Sequence, residues 1–294
     1  MNGINANIND AAVSLAENKL LTDCYRLIET GELELPTIPE VSFKIRREIN
    51  NDTASITSIA QAVQMDPAIT AQLIHISNSA LYIRQRKSES CQEALSRLGL
   101  LTAQNIITAF TLKSVFNAKS PVIQRKMAEL WAHSSYVAAI CAVFAHKIPG
   151  FDPDRAMLAG LVHDIGIIPI LMYADKYPDL IISHPKFLTE TVRKLRTDIG
   201  VKIIHSWDFP SDFEGVVSNA ENWFRNDDEP FNYADIVMMA QLQSFTGRVD
   251  INKIPKLEEL PAYKKLTGHW DANDCVNMLD AAKEEIDHIR QILA

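Results

Sequence analysis

The sequence predicts an all-α protein made of two packed helical groups. Three observations carry that expectation: apolar residues recur at three- and four-residue spacing through most of the chain, no stretch alternates with period two between glycine-rich turns, and only 10 of 294 residues are glycine.

Residues 1–30 read as an extension carrying one helix, about Asp10–Thr30, with Val13, Leu15, Leu20, Leu21 and Leu27 as its apolar positions. It docks either on its own domain, the default expectation, or on another copy of the chain. Leu35-Pro36-Thr37-Ile38-Pro39-Glu40 forces an extended lead-in to a helix, because each proline disfavours helical backbone in the residue before it. From Ile56 to Ile76 the helical spacing breaks at Asp66-Pro67, which predicts two short helices with Pro67 in the first turn of the second. Glu93–Leu98 and Ala103–Phe116 complete a first group over residues 31–120. Ala118-Lys119-Ser120-Pro121 then separates it from a second group over 121–294, with Ser120 as N-cap and Pro121 at the first helical position. Gln124–His146, Asp154–Tyr173, Leu188–Ser206 and Tyr233–Phe245 continue the pattern, interrupted by polar loops at 226–230 and 248–252. The final helix, Asn273–Leu293, takes Asp271 or Asn273 as its cap. It turns Val276, Leu279, Ile286 and Ile289 inward while Lys283, Glu284, Glu285 and Asp287 face water. About a dozen helices result.

Composition narrows the function classes. A chain of 47% hydrophobic and 22% charged residues buries a substantial core. No apolar run approaches the roughly 18 residues of a membrane span, and the first residues lack the basic and apolar regions of a secretory signal, so the cytoplasm is the expected location. Cys24, Cys91, Cys141 and Cys275 are scattered and read as small core hydrophobes. A net charge of −8 disfavours nucleic acid and anionic membrane as partners; Arg84-Gln85-Arg86-Lys87 is the best local basic patch and reads as a solvated loop.

The chemistry lies in Gly160-Leu161-Val162-His163-Asp164-Ile165-Gly166, an adjacent His-Asp pair in an apolar helix, together with His133 one helix earlier. His133 shares its helical face with Leu130, Val137, Ile140 and Cys141, so it points to a core or cleft. The ordinary role for such a histidine is a hydrogen-bonded core residue. Ala156, Ala159, Gly160 and Gly166 surround the pair with small side chains that let another helix or a ligand approach. If the two helices pack antiparallel, His133, His163 and Asp164 converge, and two neutral imidazoles with a carboxylate suit one divalent transition metal with open positions.

Several further segments resemble one family in the right order. Leu35-Pro36-Thr37-Ile38-Pro39, Asp66-Pro67-Ala68-Ile69-Thr70, Ser77-Asn78-Ser79-Ala80-Leu81-Tyr82 and Ala94 to Leu98-Gly99 are similar to the first half of the HD-related output domain, abbreviated HDOD. Trp131-Ala132-His133-Ser134, Ala159 to Gly166, and Gly200 followed by Trp207-Asp208-Phe209-Pro210 are similar to its second half. The resemblance spans roughly residues 31–245. It implies a bacterial, cytoplasmic, all-helical protein whose second group is HD-phosphohydrolase-like, assigned to signal transduction and often without demonstrated catalysis.

His133, His163 and Asp164 match the first metal-binding positions of the broader HD superfamily; the later ones fail. Arg196 stands where the family often has a histidine, Ser218-Asn219-Ala220-Glu221 where a His-His pair is common, and Ile167 where active hydrolases carry a phosphate-gripping lysine. The last aspartate falls at Gln241, a poor ligand. Asp235, six residues earlier, is rotated by about 600°, about 240° beyond a full turn, and is explained by the dipole of its own helix. An always-charged Arg196 favours an anion or a carboxylate, Asp164 among them. The expectation is therefore a non-catalytic signalling module that binds a protein partner or a small phosphorylated ligand, with no cofactor. The alternative is a metal-dependent phosphohydrolase or phosphodiesterase with a mononuclear site at His133, His163 and Asp164.

Overall fold

The computed structural model describes residues 18–49, 55–79, 82, 86–226, 228–245, 254–266 and 281–293. These residues are all-helical, with no strand among them. In chain order the helices are α1 (Lys19–Thr30), α2 (Glu40–Ile49), α3 (Ile56–Gln64), α4 (Pro67–Ser77), α5 (Cys91–Leu98) and α6 (Leu100–Leu112). Then come α7 (Pro121–Lys147), α8 (Pro153–Val162), α9 (Ile167–Ala174), α10 (Pro178–Ser183), α11 (Pro185–Ser206), α12 (Ser211–Asn219), α13 (Tyr233–Phe245), α14 (Pro261–Leu266) and α15 (Lys283–Leu293).

The helix boundaries follow the predicted punctuation. Asp66 caps α4 by accepting from the backbone N–H groups of Ala68 and Ile69 at 2.9 and 3.1 Å, with Pro67 at the first position. Ser120 caps α7 in the same way, accepting from Ile123 N–H, and Pro121 follows it. The stripe from Ala103 to Phe116 divides into α6 and a 3₁₀ turn at Lys113–Val115. The start of the helix expected from about Asp10, the caps proposed at Asp271 or Asn273, Cys275, Val276 and Leu279 lie outside the described residues.

Helices α2 to α6 pack on one another as the first group, and α7 to α13 form the second around the long α7, which α8, α9, α13 and α15 surround. Helix α6 against α8 joins the two groups, and one cluster of buried apolar side chains runs through both. Helix α1 packs on α9 and α11 and buries Leu20, Leu21 and Cys24 there. Asn18, fully buried, caps α1 through Leu21 N–H and donates from its amide to Phe187 O at 3.0 Å.

The lead-in before α2 is stitched to the corner after α11. Trp207 Nε1 donates to Pro36 O at 2.9 Å, and Arg46 Nη1 donates to Trp207 O at 2.7 Å while its guanidinium lies 4.2 Å over the Phe209 ring. The corner turns sharply at Asp208, whose φ of 53° is in the left-handed region.

Two stretches, Pro121–Lys147 and Pro153–Ala174, are long and apolar enough to cross a membrane, contrary to the expectation from uninterrupted apolar runs. Their most apolar windows are 67% and 83% buried inside the fold, as core helices of a globular protein are.

Candidate functional site

The apolar stripe expected as one helix over Asp154–Tyr173 is two helices, α8 and α9, and the His-Asp pair sits in the turn between them. His163 is the C-cap of α8, with φ −55° and ψ −32°, and Gly166 keeps right-handed backbone at φ −65° before α9 begins. Near-helical backbone across the break explains why the periodicity hides it. Presented at a helix end, His163 and Asp164 are freed from helical spacing and both turn toward α7.

Helices α7 and α8 run antiparallel, since Gly160 meets Ala138 and Cys141 while His163, further along, meets His133. A Cβ on Gly160 would stand 2.6 Å from Ala138 Cα, so glycine is what lets the helices close to this distance. The other small residue is tighter still. A Cβ on Gly166 would lie 1.8 Å from Arg196 O and 2.7 Å from Gly200 N, so α11 rests directly on the turn that carries the pair. Sequence reasoning anticipated this close approach without identifying the partner helix.

The three residues converge. His163 Nε2 and His133 Nε2 lie 3.3 and 3.8 Å from Asp164 Oδ2, and one ligand atom from each residue falls within 4.8 Å of the others. The imidazole rings are 5.2 Å apart and tilted by 62°. His163 and Asp164 are buried, whereas the His133 side chain is 22% exposed and gives the site its opening to solvent. His133 is also covered by Phe245 of α13, stacked at 5.7 Å and 13°. Gln241 is one turn before Phe245, on the same face of α13. Phe245 was missed in the sequence because an aromatic at the end of an apolar helix carries no ligand signal.

His163 Nδ1 contacts Gly160 O at 2.8 Å, which assigns the ring proton to Nδ1 in the neutral form and leaves the Nε2 lone pair facing Asp164 and His133. The 3.3 Å contact from Nε2 to Asp164 is an ion-pair distance without hydrogen-bond geometry, and Nε2 is a buried polar atom with no hydrogen-bond partner. Gln241 Oε1 and Ser134 Oγ share that condition.

On the opposite side of Asp164 stands Arg196. Its Nη1 donates to Asp164 Oδ1 at 2.7 Å and lies 2.8 Å from Glu221 Oε1, so one buried guanidinium nitrogen bridges two carboxylates. Burial pushes the Asp164 carboxyl upward, but protonated His163, Arg196 and protonated His133 together outweigh it and hold the group well below the usual carboxylate range. Burial, opposed by Arg196, leaves Glu221 above its ordinary value. The stretch Ser218 to Glu221, expected to lack the family's histidine pair, thus supplies Arg196 with a second carboxylate.

Asp235 and Gln241 are both buried. Asp235 is committed at the start of α13, where its Oδ2 accepts from Asn232 N–H, with Arg225 at 2.5 Å and Lys265 at 3.7 Å. Ion pairing joins the helix dipole in accounting for it. Of the basic patch, Arg84 lies outside the described residues; Arg86 pairs with Glu93 at 3.4 Å, and Lys87 is exposed. Cys24, Cys91 and Cys141 are free and buried, as core hydrophobes would be.

The donor set fits one transition metal. Ligand bonds of about 2.1 Å in a tetrahedral site separate the ligands by about 3.4 Å, near the separations around Asp164 Oδ2, and the unpartnered Nε2 of a histidine anchored through Nδ1 is the ligand pattern expected. It does not fit two, because Arg196 holds the outer oxygen of Asp164 that a second ion would need.

The comparisons with known proteins agree with this architecture. A family model for the HDOD domain matches residues 35–223. A candidate metal-dependent phosphohydrolase from Shewanella amazonensis is similar in structure, with a TM-score of 0.80 and 27% identity over 95% of this chain and 99% of that one. An HDOD domain protein of unknown function from Geobacter sulfurreducens has the same fold, with a TM-score of 0.68 and 21% identity over 95% and 98% of the two chains. An uncharacterized protein of Treponema pallidum is 22% identical over 244 residues, and the chain spans 45% of that relative's length. With the family model covering more than half of its length, this chain belongs to the HDOD family.

Proposed function

We propose that this protein is a regulatory HDOD module for signal transduction that binds a protein partner or a small phosphorylated ligand and does not hydrolyse it. The observation that carries the proposal is the Arg196 guanidinium bonded to Asp164 at 2.7 Å, where a metal-ligating imidazole would be needed for a hydrolytic centre. A guanidinium is permanently charged and donates only, so it repels a cation and neutralises the carboxylate that would bind one. Neutral Gln241, and Glu221 in place of a histidine pair, withdraw further ligands, while Ile167 removes the cationic grip on a phosphate. Membership of the HDOD family, and likeness in fold to a candidate signal transduction protein from Marinobacter aquaeolei (TM-score 0.57, 18% identity), support the signalling reading.

The second reading is a mononuclear phosphohydrolase, favoured by the unpartnered Nε2 of His163. His133, His163 and Asp164 would hold the metal, with the unpartnered Oε1 of Gln241 as a candidate neutral fourth donor and Asp235 kept away by its ion pairs. When bound, a divalent transition metal lowers the pKa of its water toward neutrality. The chain itself fixes the His163 tautomer through Gly160, orients Asp164 through Arg196, and admits solvent along His133.

Elemental analysis of the purified protein, with turnover of a phosphomonoester and a cyclic dinucleotide measured on the same sample, decides between them. The proposal expects no turnover above a His163→Ala control. A stoichiometric metal lost in His163→Ala together with the turnover would overturn it.

A further inference from the structure

A second concave site lies at the other end of α8 from the His-Asp turn. It is a cavity of about 190 Å³ between α6, α8 and α15, walled by Ile106 and Phe110 of α6, Met157 of α8 and Ile289 and Leu293 of α15. Its polar groups are Asp154, Asp152, Glu285, Tyr82, Thr102 and His146. Asp154 is 7% exposed, and Tyr82 donates its hydroxyl to Asp154 Oδ1.

Helix formation does not explain a carboxylate at this place. Asp152 already caps α8, accepting from Arg155 N–H at 2.8 Å, and a surface acid would serve the helix dipole in the first turn equally well. Burying Asp154 beside apolar walls disfavours its ionised form, and burial leads the causes that push its carboxyl up to about 6. A group that costs stability and faces an apolar cavity with a few convergent polar neighbours marks a binding site.

The charge of the lining selects the ligand. Three acidic residues line the cavity and no lysine or arginine is among its described lining residues, which disfavours an anion and favours a cation. The volume holds on the order of six waters, room for a short alkyl or single-ring body. From the cavity and its carboxylates together we infer that this site binds a small organic ammonium ion, its head on Asp154 with Asp152 and Glu285 nearby, and its apolar body against Phe110, Met157 and Ile289. This site is separate from the His133, His163 and Asp164 cluster, and the inference stands whichever way that cluster functions.

The test is calorimetric titration of the full chain near neutral pH with three probes of one shape: n-hexylamine, 1-hexanol and hexanoate. The expected result is saturable hexylamine binding, at least tenfold tighter than hexanol, with no hexanoate binding. Asp154→Asn should weaken hexylamine at least tenfold and leave hexanol unchanged; Ala109→Leu, which fills the cavity, should abolish both, with thermal unfolding confirming that each variant folds. If either variant fails to fold, Glu285→Gln takes its place and should weaken the amine selectively. Absence of hexylamine binding, hexanoate binding of equal strength, or hexylamine affinity unchanged in the folded variants would overturn the inference.

Discussion

Arg196 Nη1 lies 2.7 Å from Asp164 Oδ1, both side chains buried, on the side of the carboxylate turned away from His133 and His163. One carboxylate thus faces a guanidinium through one oxygen and two imidazoles through the other. The arrangement places a fixed internal cation against the carboxylate of the His-His-Asp group.

That relationship sets the stability of the site. Arg196→Met should destabilise the protein by about 3 kcal/mol, because it strands Asp164 as a buried charge without its closest charged partner. Adding Asp164→Asn should restore at least about 1 kcal/mol, since the two losses share one interaction. Urea unfolding of both singles and the double variant checks this; strict additivity would show that the pair is not coupled.

Glycine substitutions should separate two sites of unlike crowding. Gly166→Ala drives a methyl group into the Arg196 carbonyl and should cost about 3 kcal/mol or prevent folding. Gly215→Ala, on a helical residue with nothing within 4 Å of the added carbon, should be neutral or stabilise by up to about 1 kcal/mol. Thermal melts of the pair read the contrast, and equal effects would contradict the close approach of α11 to the His-Asp turn.

Asp154 should impose a pH dependence of its own. Its folded pKa, about 6, is raised from 3.8 by burial first, with Asp152 adding to it while the Tyr82 and Thr102 hydrogen bonds oppose it. The protonated form therefore favours folding: the contribution is fully present below pH 3.8 and is lost as the pH rises through about 6. It is worth about 3 kcal/mol over that window. The difference in stability between wild type and Asp154→Asn, followed from pH 4 to pH 7.5, should move in the variant's favour by that order. A flat difference would mean that Asp154 is better solvated than its surroundings indicate.

Severing the tie between the lead-in and the corner should have a smaller effect. Trp207→Phe leaves Pro36 O without its buried donor and should cost about 1–2 kcal/mol in chemical unfolding. No measurable change would mean that water reaches Pro36 and replaces the indole.

Helix type and order were legible because the apolar stripes and the Asp66-Pro67 and Ser120-Pro121 signals are local. The turn at His163 was not, because His163 and Gly166 keep right-handed backbone and the apolar pattern runs through it unbroken. Helices α10, α12 and α14, of six, nine and six residues, were not anticipated either. At the site, the small residues around the pair indicated a close approach and Arg196 indicated a carboxylate partner, since charge and size are written in residue type. Phe245 over His133 and Glu221 on Arg196 depend on how α13 and the end of α12 pack, which no local pattern encodes. Asp154 is the clearest case: in sequence it only opens the stripe Asp154–Tyr173, and the packing of α6 and α15 makes it a buried acid lining a cavity.

The central claim is that Arg196 takes a ligand position and keeps the site from functioning as a metal hydrolase. Titrating wild type and Arg196→His with zinc against a chromophoric chelator tests it most directly. The account predicts that the variant, with an imidazole restored beside Asp164, binds one zinc per chain at least tenfold more tightly than wild type. Stoichiometric zinc in wild type with affinity equal to or greater than that of the variant, accompanied by phosphoester turnover, would contradict it.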